Sequence, residues 1–237
     1  MTRLRKHRIS ADTASDTRSL NRELNKIYRL LLARYGPQHW WPADTDFEVI
    51  VGAILTQSAA WGNVEKAISN LKQGRVMSPT SLRKLSSDKL AKLIYPSGYY
   101  NAKALKLKAF VKYLEEAYED SLEKLFTLDI QRLRSELLNI HGIGPETADS
   151  IILYSAHKPI FVVDAYTRRI LTRVGLNPLR DNYSDFQAIF MDNLPADEKL
   201  FNEYHALLVR HGKEVCKKVP LCEICCLKQL CLYYSTR

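Results

Sequence analysis

Two segments about twenty residues apart could do chemistry in this 237-residue chain. The first, His141-Gly142-Ile143-Gly144, interrupts two helical patterns, and so tight a turn needs backbone angles that glycine tolerates best. Its exposed N–H groups, together with the start of the following helix, favour an anion such as a phosphate. In the second segment, Asp164 follows the apolar run 160–163, and a carboxylate at this place can stabilise a developing positive charge.

Each segment also has a purely structural interpretation. A Gly-x-Gly turn commonly joins two helices in proteins that have no nucleic-acid role. An aspartate in front of an amphipathic helix usually caps that helix, because its carboxylate accepts the free N–H groups of the first turn. Neither segment is specific alone, so the choice depends on the rest of the chain.

The charge of the chain favours a polyanionic partner. Lysine and arginine outnumber aspartate and glutamate by 35 to 26, which gives a net charge of +9 and a pI near 9.3. Nucleic acid is the first expectation for this balance. With 46% hydrophobic residues, the chain can bury a large core in one or two domains. We find no membrane-spanning run and no signal-peptide pattern, so we expect no membrane partner and an intracellular protein of the cytoplasm or nucleoid.

All five cysteines fall in the last 22 residues, and their spacing indicates a metal site. An odd number confined to one end argues against a disulfide framework. Four of them follow a Cys-x5-Cys-x2-Cys-x5-Cys pattern, which leaves Cys226 over: Cys216, Cys222, Cys225 and Cys231. Four thiolates this close can hold zinc or a [4Fe–4S] cluster. Zinc sites usually combine two Cys-x2-Cys pairs, whereas this loop has one, so the pattern favours the iron–sulfur cluster.

Apolar side chains recur at helical spacing through most of the chain, so the predicted fold class is all-α. Residues 1–18 are polar and basic and are expected to be flexible. Only 160–163 has strand character, and it is too short to seed a sheet. The predicted helices are 20–35, 46–55, 64–71, 79–85, 87–94, 101–117, 129–139, 145–156, 165–174, 184–193 and 197–211.

The glycine hairpin, Asp164 and the terminal four-cysteine loop occur in an order that resembles the iron–sulfur-containing endonuclease III group of helix-hairpin-helix DNA glycosylases. The resemblance covers about residues 20–233. It implies a monomer with two all-helical domains and a DNA cleft between them. The six-helix domain would span 44–157, and the second domain would join 19–43 to 158–237, with the cluster loop at 216–231. The implied partner is double-stranded DNA that contains a damaged base.

The same resemblance gives individual residues roles in base excision. Asp164 would stabilise the oxocarbenium-like transition state and orient the attacking water. Gln57, in Leu55-Thr56-Gln57-Ser58, matches the residue that fills the gap left by the flipped base, although alone it is simply a polar residue after a helix. The hairpin residues would contact the DNA backbone: His141, Gly142, Ile143 and Gly144. Tyr204 and His205 are expected to pack between the last helix and the cluster, and Lys213 is expected to be solvated.

One departure from the family pattern bears on the reaction. Bifunctional members carry a lysine two residues after the second hairpin glycine, and this lysine attacks the sugar to form a Schiff base. Glu146 stands at that position here. A carboxylate cannot form an imine, so we expect simple hydrolysis of the glycosidic bond without lysine-dependent lyase activity.

Aromatic residues guide the choice of substrate. Trp40, Trp41 and Trp61, with Pro42, flank Gln57 and are predicted to approach the base pocket together with Glu146. Tryptophans could equally fill a seam between domains. Aromatic walls attract cationic rings, so an N-alkylated purine such as 3-methyladenine is the leading substrate.

The motifs Trp-Trp-Pro, Leu-Thr-Gln and Gly-Ile-Gly-x-Glu together resemble the endonuclease-III-like 3-methyladenine glycosylases. Members of that subgroup can lack the cluster, so the cysteines here are a departure. One alternative is a glycosylase for oxidised or mismatched pyrimidines, such as thymine or uracil opposite guanine, since monofunctional excision of these also needs no lysine. The other alternative is a non-catalytic protein that binds damaged DNA.

Overall fold

A computed structural model describes residues 14–236, and residues 1–13 of the predicted flexible basic N-terminus lie outside this range. The described chain is helical and contains no β-strand. Three short 3-10 turns occur at Tyr95–Ser97, Cys222–Ile224 and Lys228–Leu230. The helices are α1 Ala14–Tyr35, α2 Asp46–Leu55, α3 Trp61–Gln73, α4 Pro79–Lys84, α5 Ser87–Leu93, α6 Tyr100–Tyr118, α7 Leu122–Phe126, α8 Ile130–Asn139, α9 Pro145–Tyr154, α10 Ala165–Val174, α11 Tyr183–Met191, α12 Glu198–Glu214 and α13 Leu232–Ser235.

The chain divides into two compact units, which confirms the predicted all-α, two-domain fold. The hairpin unit is Trp41–Lys158 and holds α2 to α9. The terminal unit joins the described residues up to Trp40 with those from Pro159 onward, and it holds α1 and α10 to α13. No helix in the described range is long and apolar enough to cross a membrane.

Polar caps explain why many helix starts could be predicted from the sequence. At the start of α2, Thr45 Oγ1 accepts a hydrogen bond from the N–H of Glu48 at 3.2 Å, which satisfies one of the free donors of the first turn. The same arrangement begins seven further helices, with caps at Ser78, Ser86, Ser121, Asp129, Asp164, Asn182 and Asp197. Helix α7 was missed because its five residues are too few to show an apolar stripe.

Helix α2 forms the centre of the hairpin unit. Nine of its ten residues are buried, and it packs against α3, α6 and α9, so it is apolar on all sides, as a helix enclosed by others must be. Its one buried acid, Glu48, forms an ion pair with Lys72 at 2.7 Å. On α9, the fully buried Asp149 forms a second ion pair with Arg134 of α8, at 2.7 Å and 3.2 Å. This second pair fixes the two helices on either side of the glycine turn.

An aromatic cluster forms the core of the terminal unit. Phe161 stacks flat on Phe190 with ring centroids 3.6 Å apart, and Phe201 and Tyr204 meet Phe161 edge-on. The Tyr204 hydroxyl donates to the carbonyl of Leu24, which ties α12 to α1.

The buried run 160–163 pairs with no strand, because side chains satisfy its backbone. Phe161 N–H donates to Met191 Sδ at 3.3 Å, and Gln187 donates to the Phe161 carbonyl at 2.6 Å. Val163 N–H donates to the Tyr183 hydroxyl at 3.3 Å. These bonds hold the chain extended as it runs towards Asp164.

Candidate functional site

The hairpin at 141–144 joins α8 to α9 through a turn that requires glycine. Gly142 has φ +82°, in the left-handed region that side chains disfavour. A Cβ atom on Gly142 would also lie 2.3 Å from Cγ of Lys106, so any side chain there would displace Lys106. Ile143 is buried and its N–H donates to the Ile140 carbonyl at 3.1 Å, whereas His141 and Gly144 are exposed. The buried side chain of Ile143 therefore anchors the turn to the core of the hairpin unit.

The start of α9 carries no side-chain cap. Gly144 occupies the N-cap position and Pro145 the first helical position, so the N-cap residue supplies no side-chain hydrogen bond to the first turn. Glu146 lies exposed in this turn. Uncapped N–H groups and the positive end of the helix dipole favour an anion. The phosphate site predicted at the hairpin is therefore compatible with the geometry and stays a prediction.

Gln57 lies half-buried after the end of α2, and its side chain bonds to the hairpin. The amide nitrogen donates to the Gly142 carbonyl at 3.1 Å and to Thr147 Oγ1 at 2.9 Å. The amide oxygen accepts a hydrogen bond from Lys106 Nζ of α6. The sequence singled out Gln57 and the hairpin but missed Thr147 and Lys106, because their contacts span 90 and 49 residues.

The structure brings Trp41 and Trp61 together with a third ring. Their centroids are 5.3 Å apart with the planes at 82°, and Tyr154 of α9 lies 5.4 Å from Trp41. Trp41 covers Gly52 of α2, where a Cβ atom would lie 2.9 Å from its ring. Both tryptophans are half-buried and Pro42 is exposed. Tyr154 was missed, since in sequence it is only one member of the stripe of α9.

Trp40 is assigned to a different unit from the residues of this cluster. It is half-buried and belongs to the terminal unit, whereas its sequence neighbour Trp41 belongs to the hairpin unit. Adjacency in sequence therefore did not predict the unit to which each tryptophan belongs.

Asp164 occupies the N-cap position of α10. Its Oδ1 accepts a hydrogen bond from the N–H of Thr167 at 2.7 Å, so the structural interpretation of this residue is correct. Its Oδ2 lies 4.0 Å from Nε2 of His205, and the side chain is 13% exposed. A cap uses one carboxylate oxygen and leaves the other for a second interaction. Capping and chemistry are therefore compatible at this residue.

His205, on α12, was expected to pack between this helix and the cluster, and the structure instead buries it beside Asp164 with its ring edge-on to Phe161. Burial lowers the pKa of His205, while Asp164 raises it and the exposed Lys213 lowers it. The imidazole is therefore neutral near pH 7. The proximity of His205 to Asp164 spans 41 residues and has no signal in the sequence.

Comparison with known proteins identifies the family. The model of the HhH-GPD superfamily of base excision DNA repair proteins matches residues 51–196, a range that contains the hairpin and Asp164. The chain belongs to this superfamily. It is thereby a member of an endonuclease III-like family of helix-hairpin-helix DNA glycosylases, as the motifs predicted.

Individual relatives span nearly the whole chain. A protein of Methanocaldococcus jannaschii, whose name classes it among DNA repair glycosylases, is 48% identical over 87% of this chain and 94% of its own length. Endonuclease III of Thermotoga maritima is 30% identical over 90% of this chain and 94% of its own length. The crystal structure of Helicobacter pylori 3-methyladenine DNA glycosylase, bound to 1,N6-ethenoadenine, superposes with a TM-score of 0.71. It is 26% identical and covers 84% of this chain and 97% of its own.

In this superfamily member, the helix that follows Asp164 is fixed to the start of the cysteine loop. Arg169 of α10 donates to the carbonyls of Cys216 and Gly212 at 2.8 Å and 3.0 Å. The guanidinium of Arg169 also stacks over the ring of Tyr166. This ring packs so closely on Gly212 that a Cβ atom at 212 would lie only 2.5 Å from it. One turn later, Arg173 donates to Cys216 Sγ at 3.2 Å and to the carbonyl of Lys217. A well-ordered cysteine loop therefore helps to hold α10 in place.

The four predicted metal ligands lie around the end of α12 and two 3-10 turns. No three His, Cys, Asp or Glu side chains within residues 14–236 take up a metal-coordinating arrangement. Burial is the main cause that raises the pKa of Cys225 to about 11, and neighbouring thiols contribute to the same rise. These neighbours are Cys226, Cys216 and Cys231.

The donor set nevertheless fits a metal group. Thiolates so close together repel one another in a buried loop, so they need a compensating positive charge, which a metal or cluster provides. The guanidinium of Arg173 already approaches one of the sulfurs. Cys226 lies half-buried beside Cys225, and burial raises the pKa of its thiol.

Proposed function

We propose that this protein is a monofunctional DNA glycosylase that releases an N-alkylated purine, such as 3-methyladenine, from double-stranded DNA by hydrolysis. The observation that carries the proposal is the placement of Asp164. Its Oδ1 is held by the cap of α10, so the orientation of Oδ2 is fixed before substrate arrives. A carboxylate fixed in advance stabilises a developing oxocarbenium charge without reorganising, and it can orient the attacking water.

Glu146 supports hydrolysis rather than elimination. It occupies the position where a lysine would form the covalent intermediate, in the first turn of α9. A carboxylate is stabilised at a helix N-terminus but cannot form an imine with the sugar. The product of the proposed reaction is therefore a free base and an abasic site.

The cluster of Trp41, Trp61 and Tyr154 supports a cationic base as substrate. Tryptophan faces attract cations, and N-alkylated purines carry a positive charge together with a weakened glycosidic bond. In this proposal Trp40 and Pro42 lie close to the pocket and Glu146 borders it. The relative from Helicobacter pylori, which is named a 3-methyladenine DNA glycosylase, holds a modified adenine, and this is consistent with the proposal.

DNA binding is assigned in this proposal to the hairpin and Gln57. The N–H groups at the start of α9 would bind a phosphate, with His141, Gly142, Ile143 and Gly144 forming the turn around it. Gln57 would fill the gap in the duplex after the base is flipped. The enzyme is proposed to act as a monomer.

The cysteine loop is proposed to hold a [4Fe–4S] cluster through Cys216, Cys222, Cys225 and Cys231. The cluster would supply structural order to the loop. The bonds of Arg169 and Arg173 would pass that order to α10. Iron and sulfide analysis with the visible spectrum of the purified protein tests this proposal. A coloured protein with about four irons supports the cluster, and a colourless protein with one zinc overturns it.

A panel of duplexes with single lesions tests the substrate. Free-base release is measured from methylated DNA, from thymine and uracil opposite guanine, and from an oxidised pyrimidine. Release of 3-methyladenine is the expected result. Release only from the duplexes with a pyrimidine lesion would overturn the proposed alkylpurine substrate. No release from any lesion, with DNA binding retained, would identify a non-catalytic DNA-damage-binding protein.

A further inference from the structure

We propose that Lys106 is a positioning residue for DNA binding, which locks Gln57 and the hairpin into one surface. This inference rests on the proposed function, because it assigns DNA contact to the hairpin and to Gln57. It adds a residue outside both, on α6, that acts through Gln57 rather than through a phosphate.

The amide of Gln57 is held on both sides. Its two N–H donors are used by the Gly142 carbonyl and Thr147 Oγ1, and its oxygen accepts from the Lys106 ammonium. A primary amide has two donors, so the nitrogen is saturated. Since Lys106 can only donate, it also fixes which end of the amide faces the hairpin.

The stem of Lys106 is matched to the glycine in the turn. A Cβ atom on Gly142 would lie 2.3 Å, 2.6 Å and 2.7 Å from the Cγ, Cδ and Cε atoms of Lys106. The half-buried methylene chain therefore occupies the space that a side chain at 142 would need. One residue thus covers the turn with its stem and orients Gln57 with its head.

A second lysine on α6 holds the beginning of the same loop. Lys103, which is 1% exposed, donates from Nζ to the carbonyls of Leu55 and Ser97 at 2.8 Å and 2.6 Å. Leu55 ends α2, two residues before Gln57. The loop is therefore tied to α6 at two points, and Lys106 is the point that also reaches the hairpin.

The charge of Lys106 could instead contact a DNA phosphate directly, and the two roles predict different salt dependence. Removing a phosphate contact lowers the slope of log affinity against log salt by about one. Removing a positioning contact weakens binding by a similar factor at each salt concentration. A substitution of a positioning Lys106 should also have no further effect on affinity once Gln57 is removed, because Lys106 acts through the Gln57 side chain.

The experiment measures duplex affinity at several salt concentrations for wild type, Lys106→Met, Gln57→Ala and the double variant. Methionine keeps an unbranched stem over Gly142 but removes the donor. We expect Lys106→Met to weaken binding about 5- to 10-fold with an unchanged slope, because a contact that acts only through Gln57 transmits part of the energy of its own hydrogen bond to DNA binding. We also expect the double variant to bind no more weakly than Gln57→Ala. Lys112→Met is the matched control, since Lys112 is on the same helix, 70% exposed and paired with Glu116.

Additive losses in the double variant, or a slope reduced by about one in Lys106→Met but not in Lys112→Met, would overturn the positioning role. Hydrogen exchange provides a second measurement that needs no DNA. Lys106→Met should speed exchange in the hairpin and the Gln57 loop, and unchanged rates there would also overturn it. Wild type that binds duplex but releases no base would contradict the proposed function alone. Wild type with no affinity for duplex would contradict both.

Discussion

Helices α9 and α10 begin in opposite ways, and the contrast separates two kinds of functional group. Helix α9 has Gly144 at its N-cap position, where no side chain can accept from the N–H groups of the first turn, and such a helix start favours an anion. Helix α10 starts at Asp164, whose carboxylate takes the N–H of Thr167. Helix α9 thus begins with exposed backbone at Gly144, whereas the first turn of α10 binds the carboxylate of Asp164.

The surroundings of the two starts follow the same division. Around Gly144 the backbone is open, and a Cβ atom there would meet nothing within 4 Å. Around Asp164 the structure is closed, with His205 buried beside it and Arg169 fixing the helix to the cysteine loop. An open start suits a partner that arrives from solvent, and a closed start suits a group that must not move during reaction.

The largest effect is expected from removing the charge at the closed start. Asp164→Asn should lower the rate of base release about 10³-fold, because the amide cannot stabilise the developing positive charge. Asparagine caps helices about as well as aspartate, so folding and DNA affinity should be retained. Single-turnover base release with parallel binding assays checks this. A thermal midpoint well below that of wild type would mean that the loss is structural.

A smaller effect is expected from converting the open start into a copy of the closed one. Gly144→Asp should weaken duplex binding about 10- to 100-fold, because its carboxylate would take the N–H groups that a phosphate needs and would repel the phosphate. Stability should not fall, since φ is −95° and the space is free. Titration of labelled duplex measures the change.

Gly144→Ser is the control for this substitution, since it caps without charge and should weaken binding less. Equal affinity of wild type and Gly144→Asp would show that α9 does not bind phosphate at its start.

The smallest effect concerns His205 beside the closed start. Because burial lowers the pKa of His205 from its usual 6.5, the unfolded chain binds this proton more readily than the folded protein. Its contribution to stability is therefore complete above about pH 6.5. It should be lost by up to about 1 kcal/mol per unit as the pH falls below that value.

Denaturant unfolding of wild type and His205→Gln between pH 7.5 and 5.5 measures this contribution. The variant should lose less stability than wild type over the same range. Parallel profiles for the two proteins would contradict the assignment.

The sequence predicted the local features of this contrast and missed the long-range ones. Caps and stripes lie within a few residues of the helices that they define, so the starts of α9 and α10 could be predicted together with Gly144 and Asp164. The contacts of Lys106 with Gln57 and of His205 with Asp164 span 49 and 41 residues. Nothing in one sequence couples such positions, because each side chain is also a normal surface or core residue.

The tryptophans also show that position in the sequence is a poor guide to contacts in the fold. Trp40 and Trp41 are adjacent in sequence but belong to different units, whereas Trp41 and Tyr154 share a core across more than a hundred residues. Gly52 makes this core possible, because any larger residue would meet the Trp41 ring. In the sequence Gly52 is only a weak residue within a helical pattern.

The central claim is that Asp164 supports hydrolysis and that Glu146 cannot replace the lysine of a lyase. Borohydride trapping on a duplex that contains 3-methyladenine tests it most directly, with wild type and Glu146→Lys compared side by side. Wild type should release free base and give no protein–DNA adduct, and Glu146→Lys should give a trapped adduct through the new amine. A strong adduct with the wild-type protein would contradict the account.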